Sequence, residues 1–275
     1  MKLTVSLTRL PIFLCLLMIA VASLYPLVYM GYTSFKTSLE FSMSSVSFPS
    51  SFYYDNFKAL YYRYDVLQLL SNTAICAIGG LAIAIVVSLP ASFAFAKLRF
   101  RFRSGLYVTL IATMTIPGVT FILPNYLLMS DLKLVDSFLS VMIMWGVTAV
   151  PANVFLLTSL MRGIPNELLE AVKIDGGNYA TLMTRVVLPL SFPGIMTVSI
   201  FNITGWWNDL LTPLIYLQSD AKKTMTVAVA TTLGRFSNDY PLLLTGLLLT
   251  AIVPVLVYIL LQGFIRKGLV IGAIK

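Results

Sequence analysis

Long apolar runs separated by short polar stretches dominate the pattern of the sequence. A helix needs about 20 mostly apolar residues to cross the hydrocarbon core of a bilayer. Six runs meet this requirement, and their approximate bounds are 10–31, 68–96, 105–128, 138–161, 191–216 and 241–264. The pattern therefore predicts an all-α fold, a polytopic integral membrane protein with six transmembrane helices in a single domain spanning 1–275.

The composition also indicates a membrane protein. Of 275 residues, 58% are hydrophobic and 11% are charged, whereas a soluble domain has about 25% charged residues. The basic residues that produce the net charge of +8 lie between the apolar runs. The charge therefore indicates orientation in a membrane, with lipid rather than nucleic acid as the partner.

The sequence lacks the usual signals of catalysis and metal binding. There is no histidine, and Cys15 and Cys76 fall inside apolar runs, a pattern that predicts neither a disulfide framework nor a metal site. No phosphate-binding G-x-x-x-x-G-K-[ST] motif or nucleophile elbow occurs, and no carboxylates are paired in a plausible pocket. Glu167 and Glu170 share a helix face, but on an exposed loop they are typical of surface charge that complements the helix dipole. We therefore expect a chain that is not an enzyme and has no catalytic residue, metal or cofactor of its own.

The amino terminus has two interpretations. Lys2, Arg9 and the A-V-A triplet at 20–22 are typical of a cleaved signal peptide. The apolar run continues through Val28 and Met30, which favours an uncleaved first span. The predicted orientation of the remaining chain is the same in both cases.

Basic residues predict which loops face the cytoplasm. The short loop after the second run carries Lys97, Arg99, Arg101 and Arg103 without an acid. Positive charge collects on the cytoplasmic side of membrane proteins, so this loop, the loop 162–190 and both termini are predicted to be cytoplasmic. The other basic residues on that side are Lys2, Arg9, Arg162, Lys173, Arg185, Arg266, Lys267 and Lys275.

Residues 33–66, here called the aromatic segment, lie on the opposite side in this topology. Aromatic side chains beside a span usually form an interfacial belt, but an exposed aromatic surface also suits the docking of another protein. The sequence leaves both interpretations open. The residues concerned are Phe48, Phe52, Tyr53, Tyr54, Phe57, Tyr61, Tyr62 and Tyr64.

The polar loop 162–190 has the turn signals of two short helices joined by a corner. Pro165 suits a first helical position, and the G-G pair at 176–177 breaks a helix at little steric cost. Asn178 is then the predicted N-cap of a second helix, which Pro189 is predicted to end.

The first of these two helices has a narrow apolar stripe formed by Leu168, Leu169 and Val172. A short helix held away from the membrane has few neighbours of its own, so the stripe suits a groove on a partner protein. A solvated connecting loop is the alternative, and the pattern alone does not decide between them.

The spacing in this loop resembles the signature loop of permease subunits in bacterial ATP-binding-cassette (ABC) importers. That signature reads E-A-A, three residues, G, nine residues and I-x-L-P. The sequence has E-A-V at 170–172, Gly176 and V-V-L-P at 186–189 with both spacings kept. Valine replaces the second alanine and the isoleucine.

Other parts of the chain resemble the same family, in particular the smaller permease of maltose-type sugar importers. The matching stretches are F-P at 48–49 with N-F at 56–57, F-A-F-A-K-L-R-F at 93–100, W-N-D at 207–209, and the tail G-L at 268–269 with G-A-I-K at 272–275. The resemblance therefore extends along nearly the whole chain.

The resemblance implies a type I importer permease of the bacterial cytoplasmic (inner) membrane that carries a carbohydrate. It also implies three partners: a second permease subunit, a dimeric cytoplasmic ATPase that binds ATP and Mg²⁺, and an extracytoplasmic solute-binding protein. The loop 162–190 would couple the spans to the ATPase. The residues that would carry coupling are Glu170, Ala171, Val172, Asp175 and Gly176.

The fifth apolar run holds polar and aromatic residues that suit a sugar path. Asp209 is the only acid within a predicted span, and an intramembrane acid is a functional candidate. A position near the outer interface, with the tryptophans in an aromatic belt, is the alternative. The candidate path residues are Asn125, Asn153, Trp206, Trp207, Asn208 and Asp209.

Two other classes of function are alternatives to an importer permease. An ion-coupled secondary carrier is expected to have internal repeats and several intramembrane ionisable groups, and a membrane transferase needs a catalytic constellation. The sequence shows neither set of features. Within the importer class it does not name the cargo: a sugar or oligosaccharide is expected, and a sugar acid or a glycerol phosphate would use a similar permease.

Overall fold

The structure, a computed structural model, describes residues 10–233 and 239–273. In these ranges the regular elements are all helical. In chain order the α-helices are α1 (Leu10–Thr33), α2 (Ser38–Met43), α3 (Asp55–Tyr64), α4 (Val66–Lys97), α5 (Arg103–Ala112), α6 (Ile122–Asp131), α7 (Phe138–Thr148), α8 (Val150–Arg162), α9 (Asn166–Ile174), α10 (Tyr179–Leu182), α11 (Leu188–Trp207), α12 (Leu211–Tyr216), α13 (Met225–Ala228) and α14 (Tyr240–Ala273). Lys2, Arg9 and Lys275, which entered the orientation prediction, lie outside the described ranges.

The candidate membrane spans follow the predicted apolar runs. Among the described residues four helices are long and apolar enough to cross a membrane, and two bent helix pairs raise this number to six if each pair is one span. The predicted helical, polytopic fold is confirmed, whereas the count of six depends on the bent pairs. The four unbroken helices are Leu10–Thr33, Val66–Lys97, Tyr179–Trp207 and Tyr240–Gly263.

The segment predicted as the third span, 105–128, is sharply bent. Its two halves, Arg103–Thr115 and Gly118–Asp131, meet at an angle of 94°. Pro117 has no N–H and restricts the residue before it to extended backbone, and Ile116 has φ −85° and ψ 122°. The apolar pattern therefore continues across a break that Pro117 causes. In the next pair, Phe138–Thr148 and Val150–Arg162, the bend is 44°.

The fifth helix is displaced from its predicted bounds of 191–216. It runs from Tyr179 to Trp207, and residues 208–210 separate it from α12. Asp209 Oδ1 accepts hydrogen bonds from the backbone N–H groups of Leu211 and Thr212, at 2.9 and 3.3 Å. The carboxylate thereby satisfies two N–H groups in the first turn of α12, which have no partner within the helix, so the helix stops and a new one begins inside a single apolar run.

The chain divides into two compact units, and the first joins residues 1–67 with 228–253. Within it the aromatic segment is folded on itself. The Asn56 side-chain amide donates to the carbonyl groups of Ser34 and Lys36, at 2.9 Å each.

The aromatic segment contains both a ring cluster and exposed rings. Phe35 contacts the rings of Phe52, Tyr54 and Phe57 at centroid distances from 5.3 to 5.5 Å. Phe52 and Tyr62 nevertheless remain exposed in this chain. Both predicted interpretations, an interfacial belt and a docking surface, are compatible with this arrangement.

The second unit, residues 68–227 with 254–275, contains the candidate sites. Its helices α4 and α7 meet backbone to backbone. A Cβ atom on Gly146 would lie 2.7 Å from Ile83 Cγ2 and 3.0 Å from Gly80 O, so only glycine permits this approach.

This unit has two ends, which we name by their contents. The loop end carries the connection between α8 and α11. The cavity end carries the connection between α6 and α7 and the residues after α11, where the Asn72 amide donates to the carbonyl groups of Ala221 and Lys223 at 2.9 and 3.0 Å.

Candidate functional site: the 163–189 loop and the Asp209 cavity

The connection between α8 and α11 contains the predicted helix, corner and second helix. Pro165 has φ −59° and ψ 137°, so it precedes α9 rather than beginning it. Gly176 turns the chain with φ +76°, a left-handed conformation that glycine adopts at little cost. Asn178 Oδ1 accepts a hydrogen bond from Thr181 N at 2.9 Å, which confirms the predicted N-cap of α10.

The prediction that Pro189 ends the second helix is wrong. The helix continues from α10 into α11 through a π-helical turn, Met183–Val187, in which Leu188 N donates to Met183 O. Proline lacks the N–H that a bond to Arg185 O requires, and a local π turn accommodates this missing bond. The loop is therefore continuous with a candidate membrane span.

The chain itself buries part of the apolar stripe on α9. Leu169 is 8% exposed and belongs to a buried cluster with Met161 and Leu182, and Val172 packs at the edge of this cluster. Leu168 remains exposed. The expectation that the stripe lacks neighbours of its own is therefore wrong for Leu169, because α8 and α10 border the inner side of α9.

The outer side of α9 and its corner form an open surface, which we call the coupling face. It consists of Glu170, Ala171, Ile174, Asp175 and Gly176, all of them exposed, and Ile174 reaches 86% exposure. Within the described ranges the Glu170 carboxylate forms neither an ion pair nor a hydrogen bond. The coupling face includes four of the five residues that the resemblance assigned to coupling.

Val172, the fifth of those residues, is half-buried and supports the corner from the inner side. Gly177 N donates to Val172 O at 2.8 Å. A Cβ atom on Gly177 would lie 2.6 Å from Val172 Cγ1 and 2.9 Å from its carbonyl oxygen. This close approach explains the second glycine of the pair.

A cavity of about 400 Å³ lies between the bent third segment and α12. Asn125 and Asp209, two of the predicted path residues, both line it. The rest of the lining is apolar, aromatic or hydroxyl-bearing and consists of Gly118, Val119, Phe121, Ile122, Met144, Thr148, Leu211, Thr212, Ile215 and Tyr216.

Trp145 orients Asp209 at the edge of this cavity. Its indole N–H donates to Asp209 Oδ2 at 2.7 Å, and its ring stacks on that of Trp206, with centroids 5.6 Å apart and an interplanar angle of 2°. Sequence reasoning missed this residue. The available signal was a tryptophan in the middle of an apolar run, because a buried indole N–H needs an acceptor.

The remaining predicted path residues do not line this cavity. Asn202 donates to Asn153 Oδ1 at 3.1 Å, and Asn153 is buried. Trp206 and Trp207 are also buried, so they do not form an exposed aromatic belt. Asn208 donates to a carbonyl group of its own helix at 2.8 Å. Of the six predicted path residues, Asn125 and Asp209 thus line this cavity, whereas the other four do not. Those four are Asn153, Trp206, Trp207 and Asn208.

These two sites are suited to contact with other molecules rather than to covalent chemistry. The cavity offers an amide, a carboxylate and hydroxyl groups beside an aromatic ring, a combination that can orient a small polar solute. In the part of the chain that the structure describes, no three His, Cys, Asp or Glu side chains are grouped so that they could hold a metal ion.

Comparison with known proteins places the chain in a family. Residues 80–270 match the family described as the binding-protein-dependent transport system inner membrane component. The chain is 32% identical to a putative ABC transporter permease protein, ORF2, of Caldicellulosiruptor sp., over 91% of each chain. It is 27% identical to the arabinooligosaccharides transport system permease protein AraQ of Halalkalibacterium halodurans, over 94% of this chain and 93% of that one.

A solved structure shares the fold. It is that of a bacterial ABC transporter involved in the import of the acidic polysaccharide alginate, with a TM-score of 0.83, 19% identity and coverage of 96% of this chain and 99% of that chain. The resemblance to importer permeases is thus confirmed. The chain belongs to the family of binding-protein-dependent transport system inner membrane components, as a non-enzymatic permease subunit of an ABC transporter that works with an ATPase and a solute-binding protein.

Proposed function

We propose that the chain is one of two permease subunits of a bacterial importer for a sugar or oligosaccharide, and that its coupling face docks on a separate ABC ATPase. The coupling face carries the proposal, because it is exposed while the other side of α9 is packed onto the chain. Both termini and the loop 162–190 face the cytoplasm in this proposal, in agreement with the basic residues at the loop end.

Force can pass from α9 to the spans through its buried side. Leu169, Leu182 and Val187 belong to one apolar cluster with Leu157 of α8 and Ile195 of α11. Close-packed side chains transmit displacement because they leave few voids to absorb it. When ATP and Mg²⁺ close the ATPase dimer, a docked α9 would move with it and carry the ends of α8 and α11. The path would then change from inward-open to outward-open.

The residues of the coupling face have different roles in this docking. Glu170 offers an unpaired carboxylate to a donor on the ATPase. Ala171 and Ile174 supply apolar contact area, and Gly176 permits close approach at the corner, beside Asp175. ATP and Mg²⁺ are bound by the ATPase in this scheme, and no cofactor is assigned to this chain.

The cargo is proposed to be a carbohydrate without a net negative charge. AraQ is described as a permease for arabinooligosaccharides, whereas the importer that shares the fold takes up the acidic polysaccharide alginate. The preference for a neutral cargo therefore rests on the cavity of this chain, which offers Asn125 and Asp209 to hydroxyl groups beside the ring of Tyr216. The Asp209 carboxylate repels an anion at close range. A neutral sugar therefore suits the cavity better than a sugar acid or a glycerol phosphate.

Uptake by the assembled importer tests this proposal. The chain is reconstituted in liposomes with its partner permease, ATPase and solute-binding protein, and uptake of the sugar that the binding protein binds is measured. Uptake is expected to require ATP. Glu170→Lys should abolish it because the variant reverses the charge at the docking surface, while the isolated ATPase remains active.

The matched variant Glu170→Gln keeps the shape of the side chain and should retain part of the uptake. Normal uptake by Glu170→Lys would contradict the docking role of the coupling face. Uptake driven by an ion gradient without ATP would instead support a secondary carrier. Uptake of a sugar acid in preference to a neutral sugar would contradict the cargo assignment.

A further inference from the structure

Lys97, the last residue of α4, contacts the start of the loop 162–190. Its ammonium Nζ donates to Arg162 O at 3.2 Å, to Asn166 Oδ1 at 3.1 Å and to Ile164 O. An ammonium group has three N–H donors, and here all three go to residues between the end of α8 and the start of α9. The contact therefore joins two parts of the unit that are distant in sequence.

The acceptors are groups that need an outside donor. The last carbonyl groups of a helix have no partner within that helix, and a positive charge near them is favourable. Arg162 O is at the end of α8, and Ile164 O lies in the short link before α9. Lys97 satisfies both and also holds Asn166, the first residue of α9.

A role in membrane orientation alone does not account for this geometry. Arg99 and Arg101 carry the same charge on the same loop, and the charge rule is satisfied by basic residues in any position near a span. In the described part of the chain, neither the Arg99 nor the Arg101 side chain contacts the loop 162–190. Lys97 alone of this basic run has directional bonds to it.

We propose that Lys97 is a positioning residue that fixes the end of α4 to α9, so that displacement of α9 by the ATPase also moves α4. This inference rests on the proposed function. The peptide chain links α9 directly to α8 and α11 but not to α4. Apolar contacts such as that of Phe93 in the shared cluster are non-directional, whereas hydrogen bonds from a charged donor define a geometry.

The test uses the assembled importer in liposomes with three variants: Lys97→Met, Lys97→Arg and the control Arg99→Met. The quantities measured are subunit assembly, ATP hydrolysis stimulated by the loaded solute-binding protein, and sugar taken up per ATP hydrolysed. Lys97→Met should lower uptake per ATP about tenfold, since it removes hydrogen bonds from a charged donor. Lys97→Arg should restore part of the loss, and Arg99→Met should stay within about twofold of the wild type.

A further variant removes an acceptor of this contact instead of the donor. Asn166→Leu leaves the charge of Lys97 in place and removes one acceptor, so uptake per ATP should fall about threefold. If Lys97→Met does not assemble, this variant decides the question. Unchanged uptake per ATP in Asn166→Leu, or equal losses in Lys97→Met and Arg99→Met, would overturn the proposal. Failure of the proposed function is distinguishable, because the wild-type importer itself would then show no ATP-dependent uptake.

Discussion

The loop end and the cavity end of the second unit are assembled in different ways. The coupling face and its supporting corner come from one continuous stretch, α9 to α10. The cavity instead combines residues from 118–125, 144–148 and 209–216, which are distant in the chain. Local backbone geometry positions the first site, whereas the second requires three segments to pack correctly. The spacing of residues in the sequence therefore identifies the loop end far better than the cavity end.

The two ends also differ in the hydrogen-bond partners of their acidic side chains. Glu170 on the coupling face has no partner among the described residues. Asp209 has both oxygens engaged, one by Trp145 Nε1 and the other by the N–H groups of Leu211 and Thr212. An exposed, unpaired carboxylate is available to a partner protein, and a carboxylate held from two sides is oriented toward a small solute. Variants that separate these two roles should differ in the size and kind of their effects.

The largest effect is expected for Gly176→Trp on the coupling face. Gly176 is exposed, and a Cβ atom at this position meets nothing within 4 Å in this chain, so the chain tolerates a side chain here apart from a cost of about 1 kcal/mol for the positive φ. The ring would instead obstruct docking of the ATPase. Uptake in liposomes should be abolished, while the isolated ATPase keeps its activity.

Two controls separate obstruction of docking from backbone strain. Gly176→Ala imposes the same φ with little added volume and should retain a substantial part of the uptake. Gly105→Trp adds an equal ring at another glycine with open space around it and should behave like the wild type. Normal uptake by Gly176→Trp would mean that no protein approaches this corner.

An intermediate effect is expected for Asp209→Asn in the cavity. The substitution keeps the size of the side chain but removes the charge that accepts a hydrogen bond from Trp145 and that we propose accepts hydrogen bonds from a sugar. The maximal rate of sugar uptake at saturating solute-binding protein should fall about fivefold to tenfold. Uptake rates measured with a series of sugars should change unequally if the cavity contacts the cargo directly, as we propose.

Asn208→Ala is the matched control for the cavity, since Asn208 is adjacent in sequence but does not line it. Its uptake rate should stay within about twofold of the wild type. Equal losses in Asp209→Asn and Asn208→Ala, or an unchanged sugar preference in Asp209→Asn, would remove the cavity from the transport path.

The smallest effect is expected at Asp136. Its carboxylate links the connection between α6 and α7 to the residues that follow α12. Its carboxylate accepts from the N–H groups of Gln218 and Ser219 at 3.0 Å each, from the Ser219 hydroxyl, and from Lys222 at 3.1 Å. The hydrogen bonds from Ser219, followed by that from Lys222, hold the pKa of Asp136 well below its usual range. A lowered folded-state pKa stabilises the fold above the unfolded pKa of about 3.9, and this stabilisation is lost as the pH falls below that value.

Asp136→Asn should therefore lower the free energy of unfolding by about 1 kcal/mol at neutral pH and make it less dependent on pH below about 4. Asparagine also tolerates the positive φ of 61° at this position. Thermal unfolding in detergent at a series of pH values measures both effects. Asp131→Asn, at an exposed acid near the same end, should change neither, and an equal loss there would refute the contribution of these hydrogen bonds.

Particular residues show how far the sequence could predict the fold and the sites. Gly176 and Asn178 were predicted correctly because a left-handed corner and an N-cap depend on neighbours a few residues away. Pro189 was misjudged because the π turn before it allows the helix to continue. Trp145 was missed because it lies in α7, whereas its acceptor, Asp209, lies 64 residues away in the connection between α11 and α12.

The sequence by itself determined the pattern of apolar spans, the helix and corner of the loop, and the family, since all of these depend on periodicity and on short, regular spacings. Only the tertiary structure decided that Leu169 is buried while Ile174 is exposed, that Asn125 shares a cavity with Asp209, and that Lys97 holds the start of α9. The physical reason is that burial and hydrogen-bond partners are chosen among side chains distant in the chain, and their meeting depends on how whole helices pack.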